Sequence, residues 1–180
     1  MSTIETIAPA GTWQLDPVHS RVDFEVPYLA GTFKGQFREI SGELSVFDGH
    51  ASIEGRAKVA SVDVKDETLS AHLQSPDFFD AERHSFLTFT AREIALESER
   101  DVTVDGELTI KGVTQPVRVT GSVSHPLVDA YGRDRIGLTL SASVDRTEFG
   151  VSWNTPLPSG EQALADEVTI SADLQFVKAG

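Results

Sequence analysis

Asp16, His19 and Ser20 are the residue types of a hydrolytic triad, gathered in one short stretch near the start of the chain. In a working triad the nucleophile, base and orienting acid converge from separate points of a fold, and a Gly-x-Ser-x-Gly elbow lifts the serine in one common version. Here the three sit at a single strand entrance and no such elbow occurs, so nucleophilic hydrolysis finds no support. The histidines, His19, His50, His72, His84 and His125, include no pair at the i, i+4 spacing of a helical metal site. No metal or other cofactor is expected, and a hydrogen-bonded structural role suits His19 and His72. The absence of cysteine removes thiolate nucleophiles, disulfides and cysteine-based zinc sites together. Lys111, Arg118, Arg133 and Arg135 are cations of the kind a pyrophosphate head would need, and Arg146 could stack on an aromatic ring or pair with an acid. Taken singly, each also reads as a solvated or packed charge.

What would position these groups is almost entirely strand. Val102, Val104, Gly106, Leu108 and Ile110 alternate with polar neighbours, Gly112 to Thr114 interrupt, and Val117, Val119, Gly121 and Val123 alternate again. Side chains on a strand point to opposite faces with a period of two, so this is a hairpin with one dry face. The same alternation marks a strand through Val22, Phe24, Val26 and Tyr28, a second bent near Arg38-Glu39, and a third that follows Asp48-Gly49 and changes phase near Ala60. A further strand starts at Phe86, and Ile136 to Val144 and Val168 to Phe176 alternate cleanly. Between strands 3 and 4 the period changes. Leu69, His72 and Leu73 fall at i, i+3 and i+4, predicting a short helix over 66–75 with Asp66 as N-cap and Pro76 as its stop.

Eight long strands joined mostly by short turns predict an all-β, antiparallel up-and-down barrel with one helical segment. One domain over 11–180, preceded by a flexible arm over 1–10, accounts for the length. A barrel of this size is either filled by its own side chains or holds one small ligand. Inward-parity Gly42, Gly55, Ala57, Gly106, Gly121, Ala142 and Ala172 either leave room or mark bends, and Trp13 could plug one end. The formal net charge of −13 repels phosphate backbones and anionic headgroups, which argues against nucleic acid and electrostatic membrane docking. No window reaches the length of a membrane span, so stable insertion is not expected. Met1 to Ala10 lacks the basic start and apolar run of a signal peptide, and a cytoplasmic location is expected.

Five motifs occur in order: Trp13-x-x-Asp16-Pro17-x-His19-Ser20, Phe33-x-x-x-Phe37, His72-Leu73 with Asp77-Phe78-Phe79-Asp80, Gly106-x-Leu108-Thr109-Ile110-x-Gly112-Val113-Thr114-x-Pro116-Val117, and Arg146-x-x-Phe149-Gly150. Over roughly 11–178 the chain resembles the YceI-like, polyisoprenoid-binding family. It departs from the family where Leu69-Ser70 replaces a usual Arg-Asp pair and Gln115 a common basic residue. The resemblance implies a lipocalin-like barrel whose apolar pore holds a long isoprenoid lipid, a polyprenyl phosphate or an isoprenoid quinone, in a non-catalytic carrier or sequestering protein. An enzyme acting on the same lipid is the alternative, and homodimer formation is left open. The residues expected against the ligand are Phe24, Phe33, Phe37, Leu69, His72, Leu73, Phe78, Phe79, Leu108, Ile110, Leu138, Leu140, Phe149, Ile170 and Leu174. Leu69, Leu73, Phe78 and Phe79 are further expected to cover one end of the barrel, as a lid or as a plug.

Overall fold

The computed structural model describes residues 2–3 and 8–179. Eight strands follow one another around a closed antiparallel barrel. β1 is made of Gly11–Leu15 and Arg21–Tyr28, β2 of Gly31–Phe37 and Ile40–Phe47, and β3 of His50–Lys58 and Val62–Asp63. β4 comprises Phe86–Ala91 and Ile94–Leu96, followed by β5 (Asp101–Ile110), β6 (Val113–Val123), β7 (Asp134–Asp145) and β8 (Glu167–Lys178). β8 closes the barrel by pairing with β7 along its length and with both halves of β1.

Most of the turns follow the local chemistry of the sequence. Asp48-Gly49 and Lys111-Gly112 both take positive φ at each position, as two-residue hairpin loops of the twisted kind require. The second of these means that β6 already begins at Val113, paired with Ile110, rather than after an interruption reaching Thr114. The phase changes near Arg38-Glu39 and Ala60 are one feature seen from two strands. There β3 makes a 3₁₀ turn, Val59–Ser61, and the Arg38 amide donates to the Ser61 carbonyl while the Ser61 hydroxyl accepts from the Glu39 amide. Pro27 lies beyond Glu25, where the β8 pairing stops, so its missing N–H interrupts no ladder with β8. Helix α1 (Glu67–Leu73) starts where expected, with the Asp66 carboxylate accepting from the Leu69 amide, and ends short of Pro76.

β1 swells outward at residues 16–20 while β8 runs straight past, and Ser20 repairs the ladder. Its hydroxyl accepts from the Gln175 amide and donates to the Gln175 carbonyl. Ser20 therefore stands in for a missing main-chain pair of the strand. Asp16 accepts from His19 Nδ1 at 2.8 Å and from Arg135 Nη1 at 2.9 Å, and Arg135 reaches on to Asp129. The hydrogen bond from His19, then that from Arg135, holds the Asp16 carboxyl down at about 2 against the opposing effect of its partial burial. A carboxyl whose folded value is depressed adds stability above its unfolded value, near 4, and loses it as pH falls through the folded value. Asp16→Asn is therefore expected to destabilise the protein at neutral pH, with the difference from native closing between about pH 4 and pH 2. Urea unfolding at stepped pH checks this.

One end of the barrel is packed solid. Trp13, Leu44, Val46, Ile94, Val104, Ile136 and Leu138 meet there with essentially no exposure. Trp13 is a plug in the sense expected, and its indole N–H donates to the Pro9 carbonyl. The first ten residues are not free of the barrel at the points described, since Ser2–Thr3 pairs with Ala95 and Leu96 and Ala8 is buried. Met1 and residues 4–7 lie outside the described residues.

Candidate binding cavity

The opposite half of the barrel is hollow. Inward residues of every strand enclose a cavity of about 390 Å³, within the range of small-molecule sites, with a lining that is almost wholly apolar. The small residues divide between the two roles open to them. Gly42 lines the hollow at a close strand approach, where a Cβ would stand 2.9 Å from the Glu54 carbonyl oxygen, whereas Gly55, Ala57, Ala142 and Ala172 line it and leave room. Gly106 makes none, because the Phe89 ring lies across it, with Cζ 2.6 Å from where a Cβ would stand. Gly121 serves close strand approach, since a Cβ there would strike the Thr139 carbonyl.

Of the residues expected from sequence, Phe24, Phe33, Phe37, Leu69, His72, Leu73, Phe78, Phe79, Leu108, Ile110, Leu140, Phe149, Ile170 and Leu174 all line this cavity. Leu138 does not. It shares a parity with Leu140 but sits one step nearer the closed end, where it is fully buried among the packing residues. Phe78 and Phe79, adjacent in sequence, both reach the cavity although a strand would send only one inward. They lie in a turn after α1, in which the Phe78 amide donates to Ser75 and the Phe79 amide to Leu73. Phe79 packs against Phe37 and Phe24 at 5.7 and 6.3 Å between ring centres, and Phe78 against His72 and Trp153 at 5.0 and 5.4 Å.

Trp153, Leu164 and Tyr28 complete the open end, and the first two come from an irregular segment that carries no periodic signal. Arg146 organises that segment. Its guanidinium is buried and donates to the carbonyls of Ala165 (2.8 Å), Val151 (2.7 Å), Trp153 (2.9 Å) and Leu164 (3.3 Å). Burial pushes its pKa below the ordinary arginine value. Asn154 adds a clasp, its side chain bonding both the amide and the carbonyl of Leu164.

His72 Nε2 meets Asp77 Oδ2 at 3.1 Å, and its ring stands edge-on to Trp153 at 5.3 Å, so the histidine joins α1 to two other elements at the mouth. Lys111 Nζ donates to the carbonyls of Pro76 and Gly150. Arg118 pairs with Asp105, and Arg133 and Arg135 with Asp129, so none of these cations belongs to the cavity. Asp16, His19 and Ser20 also lie outside its lining. Among the described residues no cluster of three or more His, Asp or Glu side chains has the arrangement of a metal site.

An eight-stranded antiparallel barrel, packed at one end and hollow and apolar at the other, defines the structural class. Within it the chain belongs to the YceI-like domain family, whose model matches residues 13–176. A UPF0312 protein of Staphylococcus epidermidis is 29% identical over 175 residues, covering 91% of this chain and 96% of the relative. The crystal structure of BcnA from Burkholderia cenocepacia superposes with a TM-score of 0.77 at 25% identity, over 89% of this chain and 98% of that one. A polyisoprenoid binding domain from Saccharophagus degradans, implicated in plant cell wall breakdown, superposes with a TM-score of 0.74 at 14% identity, over 93% and 98%.

Proposed function

We propose that the barrel holds a long-chain isoprenoid lipid with an uncharged head, such as a quinone or an alcohol, and acts as its carrier or sequestering protein. The observation that carries this reading is a one-ended apolar cavity whose polar mouth groups are already engaged by the protein itself. The polyisoprenoid-binding neighbour from Saccharophagus degradans supports the ligand class. A cavity of about 390 Å³ takes a stretch of about 15–20 prenyl carbons, and at roughly 0.8 kcal/mol per buried carbon that stretch has a gross transfer free energy of about 12–16 kcal/mol. Tail burial therefore supplies the larger share of the affinity against the ordering cost of a flexible chain, and the head has mainly to orient.

The uncharged head follows from the donors at the mouth. Arg146 donates to four carbonyls, Lys111 to two, and His72 pairs with Asp77. A pyrophosphate would have to displace these contacts in a protein of net charge −13. Organic extraction of the protein purified from its own host, followed by mass spectrometry, tests the proposal. A prenyl quinone or prenol near one per chain is the expected result. An empty extract, or one holding only fatty acids or phospholipids, overturns it.

A further inference from the structure

Three segments border the cavity mouth, and none contains an acidic or basic residue other than His72. They are residues 26–33 at the tip of the β1–β2 hairpin, 68–76 on and after α1, and 149–160. The last is the longest such run in a chain of net charge −13. The same end carries two exposed leucines. Leu69 is 44% exposed while also lining the cavity, which places it on the rim.

Leu29, next to the lining residue Tyr28, is 59% exposed and has φ of +53°. The other non-glycine residues with positive φ among those described, Asp48, Lys65, Asp80 and Lys111, are polar or charged. A leucine there carries both backbone strain and apolar exposure, and the bond from its amide to the Ala163 carbonyl holds it in place. An outside apolar phase would cover that exposed side chain.

We propose that this end of the barrel docks transiently on a zwitterionic lipid bilayer, Leu29 and Leu69 entering the interface, and that the prenyl chain passes between bilayer and cavity through that contact. The passage rests on the cavity's holding a prenyl lipid; the docking is measurable without it. A bilayer is the occupant that fits because the cavity opens onto this face, so a chain leaving it reaches acyl core without crossing water. The face is rimmed by Trp153 and Tyr28, aromatic types that favour the level of the headgroups. The bordering segments offer no free cation to anionic headgroups, since Lys111 is held by the Pro76 and Gly150 carbonyls and His72 by Asp77, and the acidic remainder of the molecule repels them.

The test uses the two tryptophans, Trp13 buried at the closed end and Trp153 at the mouth. Phosphatidylcholine vesicles with acyl-brominated lipid are expected to quench part of the fluorescence, and replacing half the lipid by phosphatidylglycerol is expected to weaken the effect. Leu29→Asn keeps a residue type that tolerates the left-handed backbone, and Ala30→Asp puts a charge on the same tip. Both variants are expected to abolish quenching. Leu29→Asn is also expected to slow transfer of dansyl-farnesol to vesicles by roughly tenfold, the equivalent of about 1.4 kcal/mol, with binding of that probe in vesicle-free buffer unchanged. No quenching by phosphatidylcholine, equal quenching in the variants, stronger quenching with phosphatidylglycerol, or Leu29-dependent self-association in its place overturns the docking. Failure of the native protein to bind dansyl-farnesol in vesicle-free buffer instead overturns the cavity reading, with the quenching still deciding the docking.

Discussion

Arg146→Met is expected to lower stability by about 3–5 kcal/mol, which for a chain of this size moves the melting temperature by roughly 6–20 °C. Arg146 is 5% exposed, and the partners of its guanidinium are four main-chain carbonyls, with an Asp166 carboxylate oxygen, Oδ1, at 3.7 Å. Methionine keeps much of the length and apolar stem but leaves the Ala165, Val151 and Trp153 carbonyls without this donor, each a loss of about 1–3 kcal/mol where water cannot reach, while Leu164 keeps its bond from Asn154. The carbonyls nearest the mouth will hydrate, which keeps the total below the sum. Arg146→Lys should fall between native and Met, because an ammonium has three donors and lacks the planar fork that serves two chain segments at once. Val151, Trp153 and Leu164 belong to both the staple and the cavity wall, so the Met variant should also release bound prenyl lipid faster. A Met variant melting within about 2 °C of native would refute the staple, since that shift corresponds to only about 1 kcal/mol or less.

The staple was invisible in the sequence, where Arg146 stood only as a cation near one barrel end. A guanidinium that binds carbonyls leaves no trace in side-chain pattern, because its acceptors belong to the backbone of residues of any type. Strand order and inward parity were legible for the opposite reason. Period-two alternation is a direct image of the two faces of a strand, and it placed Leu108, Ile110, Leu140 and Ile170 on the cavity side. Parity gives the face but not the height along the barrel, which is why Leu138 could not be separated from Leu140. Height depends on where Trp13 and its neighbours fill the interior, and that is set by register between distant strands. The bond from Arg135 to Asp16 spans 119 positions and is likewise a product of register. Trp153 and Leu164 sit in irregular backbone fixed by Arg146 and Asn154, so no periodicity announced them.

Phe78→Ser and Phe79→Ser are expected to separate two jobs within one adjacent pair. Phe78 is 8% exposed and closes the gap between α1 and the 151–153 segment by packing on His72 and Trp153. The turn that carries it is held by a dense set of main-chain bonds, from Phe78 and Asp80 to Ser75, from Phe79 to Leu73 and from Ala81 to Gln74, with Lys111 bonding Pro76 from outside. A segment tied so many times is expected to behave as a fixed plug, since opening it would break these bonds together. Truncating a plug residue costs what aromatic truncation in a core costs, about 3–5 kcal/mol, so Phe78→Ser should melt roughly 6–20 °C below native in the lipid-free state. Phe79 has part of its surface on the hollow, where removing the ring enlarges space that already exists. Its serine variant should therefore melt closer to native and shed bound lipid faster, because the tail loses the aromatic wall that Phe79 builds with Phe24 and Phe37. Lipid-free melting and lipid off-rates on both variants decide the matter: unchanged melting with accelerated release in each would make the segment a mobile lid and overturn the plug.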